Sequence, residues 1–256
     1  MLDPDSVNAF SAHSARTLYP QDTELVAQGE SCDRVGVIAS GLIKLQTLTE
    51  SGEEHLLQVL RSGQLVSVAR NAPSRFSWQT ATASEICWMP QKAWESFLTE
   101  RPQHFQSYMK TTLYQLEQMQ LFLINMRGRN TLQRVALWLV EELLNGAEIE
   151  AALHVQLSRR DLASLLDMTV ETLCRSLRQL QDGGAIRLPK PDRVEIADFT
   201  KLRQMAGCSE SGAGDIHALP PRGRGQSRGA DGWRNAEADN DARRPASRGK
   251  PPRRSK

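Results

Sequence analysis

Several things are scarce in these 256 residues. There are four cysteines, Cys32, Cys87, Cys174 and Cys208, and no two form a C-x-x-C pair. That spacing argues against zinc fingers and a disulfide framework, and it fits a reducing cytoplasm. No apolar run is long enough to cross a bilayer. The opening MLDPDSVNAFSAHSAR is polar and lacks the apolar stretch of a secretory signal, so the expectation is a cytoplasmic protein with no membrane partner. Charge of one sign is missing too, since 32 basic against 30 acidic residues leave +2. From Gly207 to Lys256 the count is 11 basic to 6 acidic, which leaves 21 to 24 in the first 206 residues. A body this close to neutral can hold nucleic acid only through a local patch.

The chain length suits one large or two modest domains. Residues 207–256 hold 8 of the 17 glycines and 5 of the 12 prolines, with only isolated apolar residues such as Ile216, Leu219 and Trp233. Such a composition cannot offset its ordering entropy, so this segment reads as a disordered basic tail. Its Arg-Gly and Arg-Arg-Pro patches offer at most weak, salt-sensitive contact with nucleic acid.

Between residues 20 and 90 the glycines keep time. Gly29, Gly41, Gly52 and Gly63 fall 12, 11 and 11 residues apart, the pitch of short strands joined by tight turns. RVGVIAS, LIKLQTL, HLLQVL and QLVSVA lie between them, and WQTATASEICWMP follows as a further strand pair. The expected architecture over 15–100 is a β-roll, or jelly-roll. From Pro90 the period becomes helical, with Pro102 near the start of a long helix. On that helix (101–126) Phe105, Met109, Thr112, Leu116, Met119, Phe122 and Leu123 approximate an a/d seam. A stripe of this length with no strand partner points to a homodimer interface, the alternative being a helix packed within its own chain. TLQRVALWLVEELLNG then reads as a helix stopped at Asn145-Gly146.

The densest signal is SRRDLASLLDMTVETLCRSLRQLQDGGAIR, residues 158–187. Ser158 is an N-cap with Asp161 in a Ser-x-x-Asp capping box, and Leu162, Ala163, Leu165 and Leu166 give the helix a buried face. Asp167-Met168-Thr169 break the pattern, and Thr169 caps a second helix. There Val170, Leu173, Leu177 and Leu180 form one apolar stripe, while Glu171, Arg175 and Arg178 share the opposite face. Two helices docked this way offer the second to the major groove. An Arg guanidinium donates two hydrogen bonds to guanine O6 and N7, and a Glu accepts from cytosine N4, so Glu171 and Arg175 can read a G·C pair. Arg159, Thr169, Thr172 and Arg178 are placed for phosphates, as are Arg187, Lys190 and Arg193 beside the expected wing. The plainer alternative is an i,i+4 salt bridge on a solvated helix, worth a few tenths of a kcal/mol.

LSRRDLASLLDMTVETLCRSLRQLQDGGAIRL resembles the DNA-binding segment of the Crp/Fnr family of bacterial transcription regulators. Val-Glu-Thr-x-x-Arg at 170–175 is closer to its Fnr/FixK branch than to the cyclic-AMP receptor branch. The run from Gln28 to Val68 is similar to the family's β-roll sensor, so the resemblance covers about residues 15 to 200. It implies an α+β protein with an N-terminal β-roll sensor, a long dimerisation helix and a C-terminal winged helix-turn-helix over 127–200. It further implies a homodimer on palindromic DNA, contact with RNA polymerase, no enzymatic activity, and a TTGA-type half-site read by Glu171 and Arg175. Two departures stand out. Cys174 replaces the Ser common in the Fnr branch, where that residue helps contact a thymine, and Asp167 replaces the Gly common in the turn.

The family's effector sites have few counterparts here. Where cyclic-AMP binders carry Gly-Glu-Leu and an Arg-Ser pair, this chain has GQLVSVARNAPSRFSW, with Val68 at the Glu position and Arg75-Phe76 at the pair. Met119 and Gln120 stand where the long helix would contact the base. No cysteine precedes Cys32, which leaves too few thiolates for a [4Fe–4S] cluster. Haem stays open through His13, His55 and His104, and Cys32 or Cys87 as a redox-sensitive thiol. A regulator with no cofactor fits best. The rivals are a ligand-binding β-roll or cupin-like protein whose helices only oligomerise, for which His55 without an H-x-H is a poor metal set, and a repressor in place of an activator.

Overall fold

The computed structural model describes residues 4–67, 72–145 and 152–208; Val68, Gly146 and everything after Cys208 lie outside the described residues. A short helix, α1 (Pro4–Ser11), precedes β1 (Ala15–Tyr19), β2 (Glu24–Val26), β3 (Arg34–Ser40), β4 (Ile43–Leu48), β5 (Glu54–Leu60), β6 (Leu65–Val66), β7 (Ser77–Thr80) and β8 (Ser84–Pro90). These strands pair antiparallel into two four-stranded sheets, ordered β1-β8-β3-β6 and β2-β7-β4-β5. Gly29, Gly41, Gly52 and Gly63 all sit at φ between +81° and +90°, where a Cβ is disfavoured. The regular glycine spacing therefore marks four corners of the roll. Ile38, Ile43, Leu60, Val66 and Ile86 are buried in the roll with Trp78 and Trp88. Gly36 makes room for Trp88, because a methyl group there would come within 2.8 Å of its ring.

α2 (Gln91–Glu100) and α3 (Pro102–Met126) are separated at Arg101. Pro102 opens α3, where a missing N–H costs nothing. Against this corner α1 packs Phe10 edge-on to Trp94, with ring centroids 5.3 Å apart. α3 is inverted relative to an ordinary amphipathic helix. Its buried residues are His104, Ser107 and Thr111, whereas Phe105, Met109, Leu113, Leu116, Leu123 and Ile124 are exposed.

The chain continues through α4 (Thr131–Asn145), β9 (Ala152–His154), α5 (Arg159–Leu165), α6 (Val170–Asp182), β10 (Ile186–Lys190), β11 (Arg193–Ile196) and α7 (Phe199–Met205). β10-β11-β9 form a small antiparallel sheet. Val135, Leu139, Leu162, Leu166, Leu173, Leu180, Ile186 and Leu202 are buried in one cluster, the core of a winged helix-turn-helix. Neither β9 nor α7 is legible in the sequence, because three and seven residues are too short to show a period. α7 carries the domain past residue 200. Gly207 (φ +74°) and Cys208 then close the helix with bonds to Gln204 O and Arg203 O, so these two residues belong to the fold and not to the expected tail.

The two modules share a boundary without a gap. Leu42, Leu56 and Ala81 of the β-roll join the winged-helix core. The Leu56 N–H donates to Ser164 Oγ at 2.8 Å, and Arg61 Nη2 reaches both Glu142 oxygens at 2.6 and 2.8 Å.

Candidate DNA-binding face

Each end of the helix-turn-helix is fixed by identifiable bonds. Ser158 Oγ accepts from the Asp161 N–H at 3.0 Å, capping α5. The Asp161 carboxylate then turns to the Ser158 hydroxyl (2.8 Å) and to Lys44 of β4 (3.2 Å). α5 ends in a Schellman motif: the Met168 N–H bonds to Ala163 O and the Asp167 N–H to Ser164 O. That motif needs a left-handed residue, and Asp167 supplies it at φ +53°. α6 and α7 end the same way, with Gly184 and Gly207 in the corresponding place.

Thr169 Oγ1 caps α6 by accepting from the Thr172 N–H at 3.2 Å, and the two hydroxyls lie 2.9 Å apart. Leu173, Ser176, Leu177 and Leu180 form the buried face of α6. Val170, assigned to that stripe by spacing, is 42 % exposed instead. It is the first residue of α6, directly after the Thr169 cap. On the outer face Arg175 Nη2 donates to Glu171 Oε1 at 2.8 Å, with both side chains largely exposed. Arg178 is exposed on the same helix, and Cys174 is half-buried beside the pair.

Arg187, Lys190 and Arg193 are exposed on the β10–β11 wing. Arg159 has a different employment from the one its spacing suggested. Its Nη2 donates to Pro191 O at the wing turn, and its Nη1 is buried with no hydrogen-bond partner. Arg159 thus ties α5 to the wing. Arg134 of α4 is a further participant with no sequence signal of its own. Its Nη1 donates to the carbonyls of Leu166 and Asp167 in the helix-turn-helix turn, each at 3.3 Å.

Of the seam residues, Phe105, Met109, Leu116 and Leu123 are exposed, Thr112 is exposed too, and Met119 is half-buried. Phe122 departs from the expectation, for it packs on the winged-helix core of its own chain, where α3 runs into α4. Leu113 (59 % exposed) and Ile124 (58 %) extend the outward apolar face beyond the expected seam.

Two family models match this chain: a Crp-like helix-turn-helix domain over residues 133–205 and a cyclic nucleotide-binding domain over residues 16–101. A probable transcriptional activator of Rhizobium leguminosarum bv. viciae is 24% identical over 208 residues, covering 80% of this chain and 86% of that protein. The nitrogen fixation regulation protein FixK of Azorhizobium caulinodans is 22% identical, covering 73% and 77%. The structure of FixK2 from Bradyrhizobium japonicum superposes with a TM-score of 0.69 at 17% identity, covering 77% of this chain and 98% of that one. The chain belongs to the Crp/Fnr family. It is a DNA-binding transcription regulator and not an enzyme.

In the β-roll of this Crp/Fnr regulator, aromatic side chains pack on the core and on one another. Phe76 packs on the β-roll core, Trp88 Nε1 donates to the Tyr19 hydroxyl at 3.0 Å, and Arg34 lies over the Trp88 ring at 4.3 Å. Arg75 is exposed. His104 stacks on Phe97, with its Nδ1 2.7 Å from Ser6 Oγ. His13 and His55 are exposed. Cys87 is buried, and burial pushes its thiol pKa up despite the nearby Arg16. Cys32 is half-buried, its thiol donating to Arg34 O at 3.4 Å. Among the described residues no helix is long and apolar enough to cross a membrane.

Proposed function

We propose that this regulator binds a palindromic operator of TTGA-type half-sites as a homodimer, acts from there as an activator touching RNA polymerase, and does so in the cytoplasm. The observation that carries this reading is the Glu171–Arg175 pair, one turn apart on the exposed face of a helix capped at both ends. In the free protein the two side chains neutralise each other at 2.8 Å. On DNA the same spacing lets the carboxylate accept from cytosine N4 while the guanidinium donates to guanine O6 and N7. Arg178 and Arg187 are free to take phosphates, as is the Thr169–Thr172 hydroxyl pair at the helix N-terminus. The apolar outer face of α3 supports the dimer, since a contiguous patch of large apolar side chains on a soluble chain marks an interface. A two-fold dimer sets its half-sites about one DNA turn apart, roughly 34 Å.

We further propose that no cyclic nucleotide, iron–sulfur cluster or haem is needed. The packing of Phe76 and the tryptophans within the roll supports this, as does the commitment of His104 to Phe97 and Ser6.

Selection of bound sequences from random DNA with the full chain, run with and without oxidant, tests the reading. Enrichment of an inverted repeat with a TTGA-type half-site is expected. Enrichment of an unpaired motif, or of none, would overturn it.

A further inference from the structure

We propose that Arg134 is a positioning residue for the recognition helix, locking the helix-turn-helix turn to the elbow between α3 and α4. The inference rests on the palindromic-dimer reading above.

A helix end leaves its last carbonyls without intrahelical partners. The Schellman motif of α5 uses those of Ala163 and Ser164. Further along the turn, Leu166 O and Asp167 O accept from Arg134 Nη1 at 3.3 Å each. The Arg134 side chain is 21% exposed and also lies 3.6 Å from Asp167 Oδ2. That carboxylate is 87% exposed, so the ion pair adds little and the carbonyl bonds carry the contact.

The same guanidinium faces the elbow. Arg134 Nε donates to Arg129 O at 3.2 Å, and Arg129 Nη1 donates to Asn125 O near the end of α3 at 3.3 Å. Asn130 and Gln133 brace the start of α4 with two reciprocal bonds of 3.0 Å. A continuous path thus runs from the last turn of the outward-facing helix, through the guanidinium groups of Arg129 and Arg134, to the turn that precedes α6. Only an arginine spans it, since its donors diverge in a fixed plane while a lysine offers a single point. Asp167 makes the clamp matter more. The equivalent positions after α6 and α7 are glycines, which accept a left-handed backbone without strain.

The path fixes where α6 sits relative to α3, and in a dimer that sets the distance between two recognition helices. Arg134→Lys and Arg134→Met should therefore relax half-site spacing while leaving base reading intact. Competition binding would compare the selected palindrome with versions one base pair longer or shorter, and separately with single base changes inside a half-site. Wild type should prefer the correct spacing, and both variants should lose about tenfold of that preference, one or two hydrogen bonds' worth. The preference at the G·C pair should stay. Arg134→Lys keeps the charge and the aliphatic stem, so it stays folded if Arg134→Met does not. A wild-type spacing preference retained in Arg134→Lys overturns the proposal. Absence of any spacing preference in wild type would instead overturn the palindromic reading, and this proposal with it.

Discussion

Lys44 Nζ of the β-roll lies 3.2 Å from Asp161 Oδ1 of the helix-turn-helix, with only 8% of the lysine side chain exposed. Asp22 stands 3.7 Å away on the other side. The buried ammonium is flanked by two carboxylates, one of which belongs to the DNA-reading module. The contact joins sensor and reader at the cap of α5.

Removing Lys44 should cost more than removing a surface charge. Lys44→Ala strands Asp161 in a half-buried place, and a loss of about 1–3 kcal/mol in urea unfolding is expected. Asp161→Asn keeps the volume and removes the charge. The two together should show a coupling of about 1 kcal/mol. Strict additivity would mean the contact is passive.

Arg175 and Arg178 should fail differently. Arg175→Ala should cost about 1–3 kcal/mol at the cognate site and relax the preference for its G·C pair. Arg178→Ala should weaken cognate and random DNA alike and flatten the salt dependence, because a phosphate contact carries no base information. Equal losses on every sequence for Arg175→Ala would reduce that residue to a phosphate clamp.

Leu116 is 50% exposed in the single chain, so Leu116→Glu should leave the fold intact. In a dimer it would set two carboxylates facing each other across the seam, each desolvated at a cost of several kcal/mol. Sedimentation should find monomers with weak operator binding. A dimer of unchanged affinity would assign the outer face of α3 another task.

Glu141 of α4 should make stability depend on pH. Burial is the main reason its pKa rises to about 7, with the neighbouring Glu142 adding to it and the Asn125 amide (2.6 Å) and Arg129 opposing. The folded state therefore holds a proton that the unfolded state releases near 4.5. The contribution is fully present below about 4.5 and is lost as pH rises to about 7. It amounts to at most about 3 kcal/mol. Glu141→Gln should flatten the unfolding free energy over that window relative to wild type. An identical pH slope in the two proteins would rule the group out.

How much of this was legible in the sequence follows the range of each interaction. Ser158, Thr169 and the glycines of the β-roll act on their own neighbours, so the caps, the recognition helix and the strand corners can be read directly. The Glu171–Arg175 pair is legible for the same reason, being four residues apart on one helix. Contacts across the fold were not legible. Phe122 satisfies the seam spacing yet packs on its own core, and Val170 satisfies the stripe yet faces solvent. Periodicity places a side chain on a helix face but does not say what stands opposite. The Asp161 carboxylate is shared with Lys44, 117 residues away, and Arg134 reaches a turn 32 and 33 residues further on. Sequence alone determined where the two helices of the helix-turn-helix begin and which side chains share the outer face of the second. The packing of α4 and the β-roll around that helix decided how firmly it is held and at what angle, because those partners meet only when the chain is folded.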